Sequence, residues 1–261
     1  MPLDPPLEFP PVVPGDDVVL SASTFVAFER CPEQAAGRLR GVYGPESRSS
    51  FIGALAHRVF ARHLSIGSID DADFVAVCRE EIGGGMNPKL AALGLKPSQL
   101  TGVIEEVGGL YDRFKTLRAE GFAGAEVTLE AEPADGVVLR GSIDAVFDTD
   151  GGVRLVDWKT GNLGEPDTQL YFYALLWALE RGEIPVLIEA VSVKTGERTD
   201  AVPSRTLIDG TATKAARAVD ALRESWRRGS ELDRIAGPWC RWCPLLDECS
   251  EGRAAVEVLE A

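Results

Sequence analysis

Two strand-like runs meet at a tight turn in residues 141–161, which read GSIDAVFDTDGGVRLVDWKTG. The dipeptide Asp150-Gly151 is a strong signal for a two-residue type I′ hairpin loop. Continued outward from that loop, the pairing sets Asp144 opposite Asp157, and a four-residue loop gives the same register. A three-residue loop with a bulge would shift the register by one. We therefore expect two carboxylates to face each other across neighbouring strands.

These opposed carboxylates indicate a cation between them, because like charges directly opposed across a sheet are destabilising. Strand alternation puts Lys159 on the same face as Asp157, while Val156 and Trp158 point to the other face and into the core. Carboxylate oxygens suit Mg²⁺, and a water on that ion can attack a phosphodiester while a lysine screens the developing charge. A surface salt bridge is the alternative explanation of an isolated Asp-x-Lys, and the opposed Asp144 weakens it.

Three cysteines near the C-terminus, Cys240, Cys243 and Cys249, form a C-x2-C-x5-C pattern, and Cys31 is their one plausible distant partner. In a reducing compartment, clustered cysteines are more often metal ligands than disulfides. The four thiols therefore predict a metal site that ties the two ends of the chain together. Cys78 lies in an apolar run and is predicted to be a buried core residue.

The 261 residues carry a formal net charge of −14, which argues against a protein that coats nucleic acid by bulk electrostatics. The length favours one domain or two closely fused domains. No apolar run is long enough to span a bilayer, and the N-terminus lacks the features of a signal peptide. We therefore expect a cytoplasmic protein with no membrane partner.

Two basic clusters interrupt this acidity. Six arginines lie between Arg30 and Arg62 against only two acidic residues, and a second cluster from Lys214 to Arg228 surrounds a tryptophan. Two interpretations explain the clusters equally well. The basic residues form either solvated helix faces or the two sides of a groove for a single nucleic-acid strand. In the groove interpretation the candidate DNA contacts are Arg38, Arg40, Arg58, Trp226 and Arg227.

Along the chain, the proline-rich residues 1–17 predict an extended arm. Ser21 or Ser23 is expected to cap a first helix, and Ser49 or Ser50 a second. The pattern continues with helices, three strands, a helix, a strand and a helix, which is typical of an α/β protein with a mixed sheet. The predicted helices are 51–64, 98–118, 166–180 and 207–228, and the predicted strands are 125–132, 137–148, 152–159 and 186–193.

Three polar residues gain weight from their context. His57 lies on a predicted helix, where a lone histidine is ordinarily a packed or capping residue. Gln169 and Tyr173 are four residues apart on the helix that follows the Asp-x-Lys strand, so their side chains share a face. A core-facing tyrosine is the plain alternative for Tyr173, and His63 is predicted to be only a packed residue.

These motifs occur in the order found in the RecB-type branch of the PD-(D/E)XK nuclease superfamily. The chain resembles its iron-sulfur members, such as the nuclease domain of AddB and the CRISPR-associated spacer-acquisition nucleases, over nearly all of residues 19–250. Each motif is weak alone, but six in order are specific. They are Leu20-Ser21-Ala22-Ser23 with Cys31-Pro32, G-x3-H at Gly53 and His57, G-x-I-D from Gly141 to Asp144, D-x-K-T-G from Asp157 to Gly161, Q-x3-Y at Gln169 and Tyr173, and the three C-terminal cysteines.

The resemblance implies an α/β, restriction-endonuclease-like core with a central mixed β-sheet flanked by helices, plus a C-terminal cysteine cluster closed by the N-terminal cysteine. It implies one RecB-like nuclease domain over residues 18–261, with a helical insertion at about 66–120 and an iron-sulfur site that joins Cys31 to residues 240–249.

The resemblance also implies roles for individual residues. His57, Asp144, Asp157 and the backbone carbonyl of Trp158 would bind the catalytic Mg²⁺ or Mn²⁺. Lys159 would be the catalytic lysine, and Gln169 with Tyr173 would support the site and the DNA strand. A [4Fe-4S] cluster is expected on Cys31, Cys240, Cys243 and Cys249, with Zn²⁺ as the alternative because all-thiolate sites suit zinc too.

The implied activity is that of a metal-dependent deoxyribonuclease, a single-strand-preferring exonuclease or end-processing enzyme in DNA repair or recombination. The chain has no G-x4-G-K-[ST] motif, so we expect a separate helicase or repair partner to unwind duplex DNA. Two alternatives stay open. One is a DNA-end-binding subunit of a helicase-nuclease assembly with little activity of its own, and the other is a CRISPR spacer-processing nuclease.

Overall fold

A single mixed sheet of six strands lies at the centre of the described chain. The computed structural model describes residues 3–260, apart from the side chain of Pro97. The first two residues of the predicted arm and the last residue of the predicted domain lie outside the described residues. The strands are β1 (Val18–Ser21), β2 (Phe122–Ala134), β3 (Val137–Thr149), β4 (Gly152–Lys159), β5 (Leu187–Ser192) and β6 (Arg198–Ala201).

The long strand β3 organises this sheet. One edge of β3 pairs antiparallel with β2, and the other edge is shared by β1, which runs parallel to its first half, and β4, which runs antiparallel to its second half. Strand β5 then adds parallel to β4, and β6 adds antiparallel to β5. The predicted mixed sheet is confirmed.

The hairpin between β3 and β4 has the predicted register. Thr149 pairs with Gly152 across the two-residue loop, and the ladder continues to Ala145 and Val156. The next rung is not a regular pair, because an Asp144 carboxylate oxygen accepts the backbone N–H of Trp158 at 2.6 Å. The carboxylate of β3 is thereby turned toward the end of β4.

Helices cover both faces of the sheet. They are α1 (Ala22–Arg30), α2 (Pro32–Leu39), α3 (Arg48–Ile66), α4 (Phe74–Glu81), α5 (Asn87–Leu93), α6 (Pro97–Phe114), α7 (Asp167–Arg181), α8 (Arg205–Arg228) and α9 (Ser250–Glu260). The face against α1, α7 and α8 holds one apolar core, and the face against α3, α4 and α6 holds a second, which includes Val156 and Trp158 as predicted. None of the helices in the described residues is both long and apolar enough to cross a membrane.

Several predicted boundaries are wrong. Helix α3 begins at Arg48 rather than at Phe51, because Ser47 caps it by accepting the N–H of Ser50 at 3.1 Å. Ser21 caps α1, which was one of the two predicted choices. Strands β1 and β6 and helices α2 and α9 were not predicted. Both missed strands have four residues, too few for a periodic pattern to stand out.

Residues 3–17 lie against α8 and are held there by side chains of that helix. Arg223 is buried and donates to the backbone carbonyls of Val13 at 2.7 Å, Asp16 at 2.9 Å and Asp135 at 3.0 Å. The Val13 N–H in turn donates to Asp220 at 2.8 Å. This arginine therefore joins the arm, α8 and the β2–β3 turn at one point.

Candidate active site

Helix α3 carries His57 to the sheet beside the end of β4. His57 Nδ1 lies 3.0 Å from Asp144 Oδ1, while the other oxygen of Asp144 accepts the Trp158 N–H. A β-carbon at Gly53, one turn before His57, would lie 3.1 Å from Thr160 Oγ1. Glycine therefore lets α3 approach the residues that follow β4, which explains the G-x3-H spacing in physical terms.

The charge of His57 depends on its carboxylate neighbours. Burial alone would disfavour the imidazolium, but the Asp144 carboxylate outweighs it and raises the pKa of His57 to about 9. The imidazole is thus protonated at neutral pH in the metal-free protein. A metal ion binds neutral imidazole, so metal binding at His57 must release this proton.

On the α7 side of the sheet, four predicted residues form a connected chain. Lys159 Nζ lies 2.7 Å from Asp157 Oδ2 and donates to Gln169 Oε1 at 2.6 Å. The amide of Gln169 then donates to the Tyr173 hydroxyl at 2.8 Å. Because an ammonium can only donate, Gln169 must present its oxygen to Lys159 and its NH₂ group to Tyr173.

Asp157 is the most buried carboxylate of this site, with 3% of its surface exposed. Burial and the Asp144 charge raise its pKa to about 6, although Lys159 opposes the shift. The contact to Lys159 has the distance of an ion pair but not the angles of a hydrogen bond. Asp157 Oδ2 is therefore a buried oxygen without a hydrogen-bond donor among the described residues.

Gly141 allows α7 to pack directly on β3. A β-carbon at this position would lie 2.9 Å from Leu176 Cδ1 and 3.0 Å from Tyr173 Cε1. Tyr173 belongs to the core on this face, so the plain alternative for it is correct as far as packing goes. Its hydroxyl nevertheless points to Gln169, and burial followed by the Asp157 charge raises the tyrosine pKa, which keeps the hydroxyl protonated.

Glu126 on β2 lies at this site and was missed from the sequence. Its carboxylate, His57 and Asp144 offer ligand atoms that all lie within 4.8 Å of one another. Asp157 is not part of this closely spaced group. The predicted roles of Asp157 and of the Trp158 carbonyl as metal ligands therefore stay predictions.

A register shift explains why the sequence did not indicate Glu126. Ala134 pairs with Val137 across the Asp135-Gly136 turn, but by Ala131 the register has moved by one residue. Without that irregularity, Glu126 would fall one rung away from Asp144 and on the other face of the sheet. The sequence places Glu126 in a predicted strand, but it does not predict the bulge that turns this side chain toward Asp144.

The basic clusters are largely neutralised by acidic partners. Among the candidate DNA contacts, Arg40 pairs with Glu33 at 2.5 Å, Arg58 with Glu81 at 2.9 Å and Arg227 with Glu224 at 2.6 Å, while Arg38 is half-buried. The ion pairs favour the interpretation of solvated helix faces over the groove. The predicted contacts at these arginines remain untested predictions.

Trp226 is 59% exposed, but the structure does not bring it to the carboxylates. It lines a cavity with Val18 at the start of β1. Val18 pairs with Val137, seven residues before Asp144 on β3, a separation of about 23 Å at the usual rise of a strand. Trp226 and the site therefore do not share one short groove.

The four predicted ligand cysteines line one cavity together with apolar side chains such as Leu245 and Trp239. Their sulfurs accept backbone N–H groups: Ile235 donates to Cys31 at 3.5 Å, Gly237 to Cys240 at 3.4 Å and Gly252 to Cys249 at 3.2 Å. All are free thiols, as is Cys243. The structure thus brings Cys31 to the C-terminal cysteines.

Two residues outside the site fit their plain interpretations. Cys78 is fully buried, and burial raises the pKa of its thiol to about 11, so it stays an unreactive core residue. His63 packs edge-on against Tyr111 and Phe114, and its Nδ1 lies 2.9 Å from the Tyr111 hydroxyl.

Comparison with known proteins agrees with this geometry. The chain shares 44% identity with the gene 69 protein of Mycobacterium phage D29 over 63 residues, which are 24% of this chain and only 23% of that protein. A crystal structure of a candidate exonuclease from Eubacterium rectale superposes with a TM-score of 0.55 at 13% identity, covering 88% of this chain and 87% of that one. At this identity the superposition indicates the shared fold alone. The sequence model of the PD-(D/E)XK nuclease superfamily matches residues 19–250, so the chain belongs to that superfamily.

Proposed function

We propose that the protein is a metal-dependent DNA nuclease that acts on single strands or DNA ends, as an exonuclease or end-processing enzyme in repair or recombination. The main observation that supports this proposal is that two sets of polar side chains meet at the end of β4. His57 and Asp144 approach from the α3 side, and Lys159 with Asp157 from the α7 side.

The donor set fits a hard divalent cation. Nucleases of this superfamily generally use Mg²⁺ or Mn²⁺, and the acidic group around Asp144 offers the oxygen ligands that these ions prefer. We assign His57, Asp144, Asp157 and the Trp158 carbonyl as ligands, and the burial of the Asp157 carboxylate next to Lys159 supports the assignment. When bound, the metal supplies Lewis acidity and a water of lowered pKa.

Lys159 is the residue that we assign to the scissile phosphate. Asp157 and Gln169 hold its ammonium from two directions, which fixes the charge before substrate arrives. A pre-oriented cation stabilises the negative charge that develops on phosphate oxygens without reorganising during the reaction. Tyr173 keeps the Gln169 oxygen turned toward Lys159, so we assign both as positioning residues.

Substrate choice follows from the charge distribution. The chain carries a net charge of −14 and its arginines are mostly paired, so a wide basic surface for duplex DNA is not part of the proposal. Single strands can bind through base stacking and a few phosphate contacts. Duplex DNA would need a separate helicase or repair partner to open it.

We propose a [4Fe-4S] cluster for the four cysteines, with zinc as the rival. The N–H groups aimed at three of the sulfurs and the apolar lining are features that stabilise thiolate-bound clusters. The role is structural, because Cys31 and the C-terminal cysteines lie outside the sheet that holds the acidic residues. Thiolate ligands of this kind are maintained in the cytoplasm, where we place the protein.

The test is cleavage of end-labelled single-stranded and blunt duplex DNA with Mg²⁺ or Mn²⁺. We expect the wild type to degrade the single strand, and Lys159→Ala to lose cleavage while it keeps its fold and its DNA binding. Lys89→Ala, an exposed lysine on α5 outside both basic clusters, is the matched control and should cleave normally.

Three results would count against this proposal. Equal cleavage by Lys159→Ala would overturn the assignment of the site. Tight binding of DNA ends without cleavage by the wild type would favour the end-binding subunit instead. Faster degradation of blunt duplex than of single strands would overturn the substrate preference.

A further inference from the structure

We propose that Glu126 is a ligand of the catalytic metal ion, beside His57 and Asp144. The inference rests on the proposed function of this site and adds a residue from β2, which lies outside the β3–β4 hairpin. With Glu126 the metal site depends on four elements: helix α3 and strands β2, β3 and β4.

The spacing of the side chains supports a shared ion. Glu126 Oε1 lies 4.0 Å from His57 Nδ1, and Asp144 Oδ1 lies 3.0 Å from the same nitrogen. Octahedral Mg²⁺ holds its ligands at about 2.1 Å, so adjacent ligand atoms lie about 3 Å apart and opposite ones about 4.2 Å apart. Both observed separations fall within the span of one coordination shell.

The backbone aims Glu126 at this position. Its φ of 50° makes it the non-glycine residue with a left-handed conformation among the described residues. The neighbouring pairs, Ala125 with Ala145 and Val127 with Ile143, keep their register on either side. A left-handed conformation is unfavourable for a residue with a side chain, and here it redirects one side chain while the neighbouring pairs keep their register.

Strand β3 is irregular at the same rung. Ile143 packs in the core under α7, whereas Ala145, two residues later, packs in the core under α3. A regular strand would place both on one face, so the alternation breaks at Asp144. Two neighbouring strands are thus distorted at one rung, and the distortion brings two carboxylates toward His57.

The negative charges of Glu126 and Asp144 favour the binding of a cation between them. Glu126 is held by one weak contact, from Ser142 Oγ to Oε2 at 3.4 Å, which leaves Oε1 on the side of His57. The Glu126 and Asp144 carboxylates offer oxygens within 4.8 Å of each other, and two carboxylates at that distance repel. A divalent ion between them would remove that repulsion.

The experiment is a titration of the metal-free protein with Mn²⁺ in the absence of DNA, followed by the loss of the free-ion signal in electron paramagnetic resonance. We expect Glu126→Gln to weaken Mn²⁺ binding at least tenfold. Glu130→Gln is the matched control, because Glu130 lies on the same strand and both side chains are 43% exposed. Its binding of Mn²⁺ should equal that of the wild type.

Thermal melts separate ligation from a structural role. Removing a repelled carboxylate should leave the melting temperature of metal-free Glu126→Gln unchanged or higher, while its shift on adding Mn²⁺ shrinks. If this variant does not fold, Glu126→Asp, which keeps the charge but withdraws it by one methylene, provides the same measurement.

Unaltered Mn²⁺ affinity in a folded Glu126 variant would overturn the proposal, and so would an equal loss in Glu130→Gln. Failure of this proposal can be told apart from failure of the proposed function. Glu126-dependent Mn²⁺ binding in a protein that cuts no DNA would retain the ligand and refute the nuclease activity. If the wild type cleaves DNA but its Mn²⁺ binding does not depend on Glu126, the nuclease activity is retained and the ligand assignment is refuted.

Discussion

Replacing Asp157 with asparagine should stabilise the metal-free protein at alkaline pH. The carboxyl group is 3% exposed, and burial together with the Asp144 charge raises its pKa from 3.8 to about 6. A raised pKa means that the native state holds the proton more tightly than the unfolded state does. Ionisation therefore destabilises the fold, increasingly as the pH rises from 4 to 6 and fully above that range.

The size of the effect follows from the shift. About two pKa units at 1.36 kcal/mol each correspond to about 3 kcal/mol at pH 8. For a chain of this length that is a rise in melting temperature of roughly 6–12 °C. Asparagine has nearly the same shape, keeps no charge to repel Asp144, and leaves Lys159 bound to Gln169.

The assay is thermal or urea unfolding in EDTA at pH 8 and at pH 4.5. Asp157→Asn should be more stable than the wild type at pH 8, and the difference in stability should shrink to about a third at pH 4.5. Asp148→Asn, an exposed aspartate on β3, serves as the control and should show no such pH dependence. The reasoning fails if Asp157→Asn is no more stable at pH 8, or if its gain persists unchanged at low pH.

Three further predictions concern other parts of the molecule. Arg223→Ala should lower the free energy of unfolding by about 2–4 kcal/mol and expose the arm to proteolysis, because it leaves buried carbonyls without donors; Arg227→Ala, whose partner is exposed, should do neither. Cys31→Ser should yield colourless, protease-sensitive protein without iron or sulfide, whereas Cys78→Ser should keep colour and activity; stoichiometric zinc in the wild type would refute the iron-sulfur cluster. Mn²⁺ affinity should rise between pH 7 and pH 9, because His57, with a pKa of about 9, must lose a proton; calorimetry in buffers of different ionisation enthalpy should detect the released proton.

The hairpin at the centre of the site was predictable because its register depends on local residues. Asp150-Gly151 fixes the loop, and strand alternation does the rest. The same locality holds for Gln169 and Tyr173, which share a helix face and are hydrogen-bonded. The pairs Asp144 with Asp157 and Gln169 with Tyr173 could therefore be predicted without knowledge of the remaining fold.

The features that sequence did not predict depend on distant parts of the chain. Strand β1 is four residues long and is a strand because β3 lies beside it. The position of Glu126 depends on a bulge near Ala131, and no residue type in this segment predicts that bulge. The arginine clusters looked like a binding surface because their acidic partners, such as Glu81 for Arg58, are remote in sequence.

The attachment of the arm to α8 constrains how the protein is made. Val13 leaves the ribosome early, yet its partners Asp220 and Arg223 are synthesised 207 and 210 residues later. At translation rates of about 5–20 residues per second, the arm waits roughly 10–40 s for them. Cys31 waits equally long for Cys240. The arm is therefore open to chaperones and proteases at least until α8 has been synthesised, and it docks only after that point.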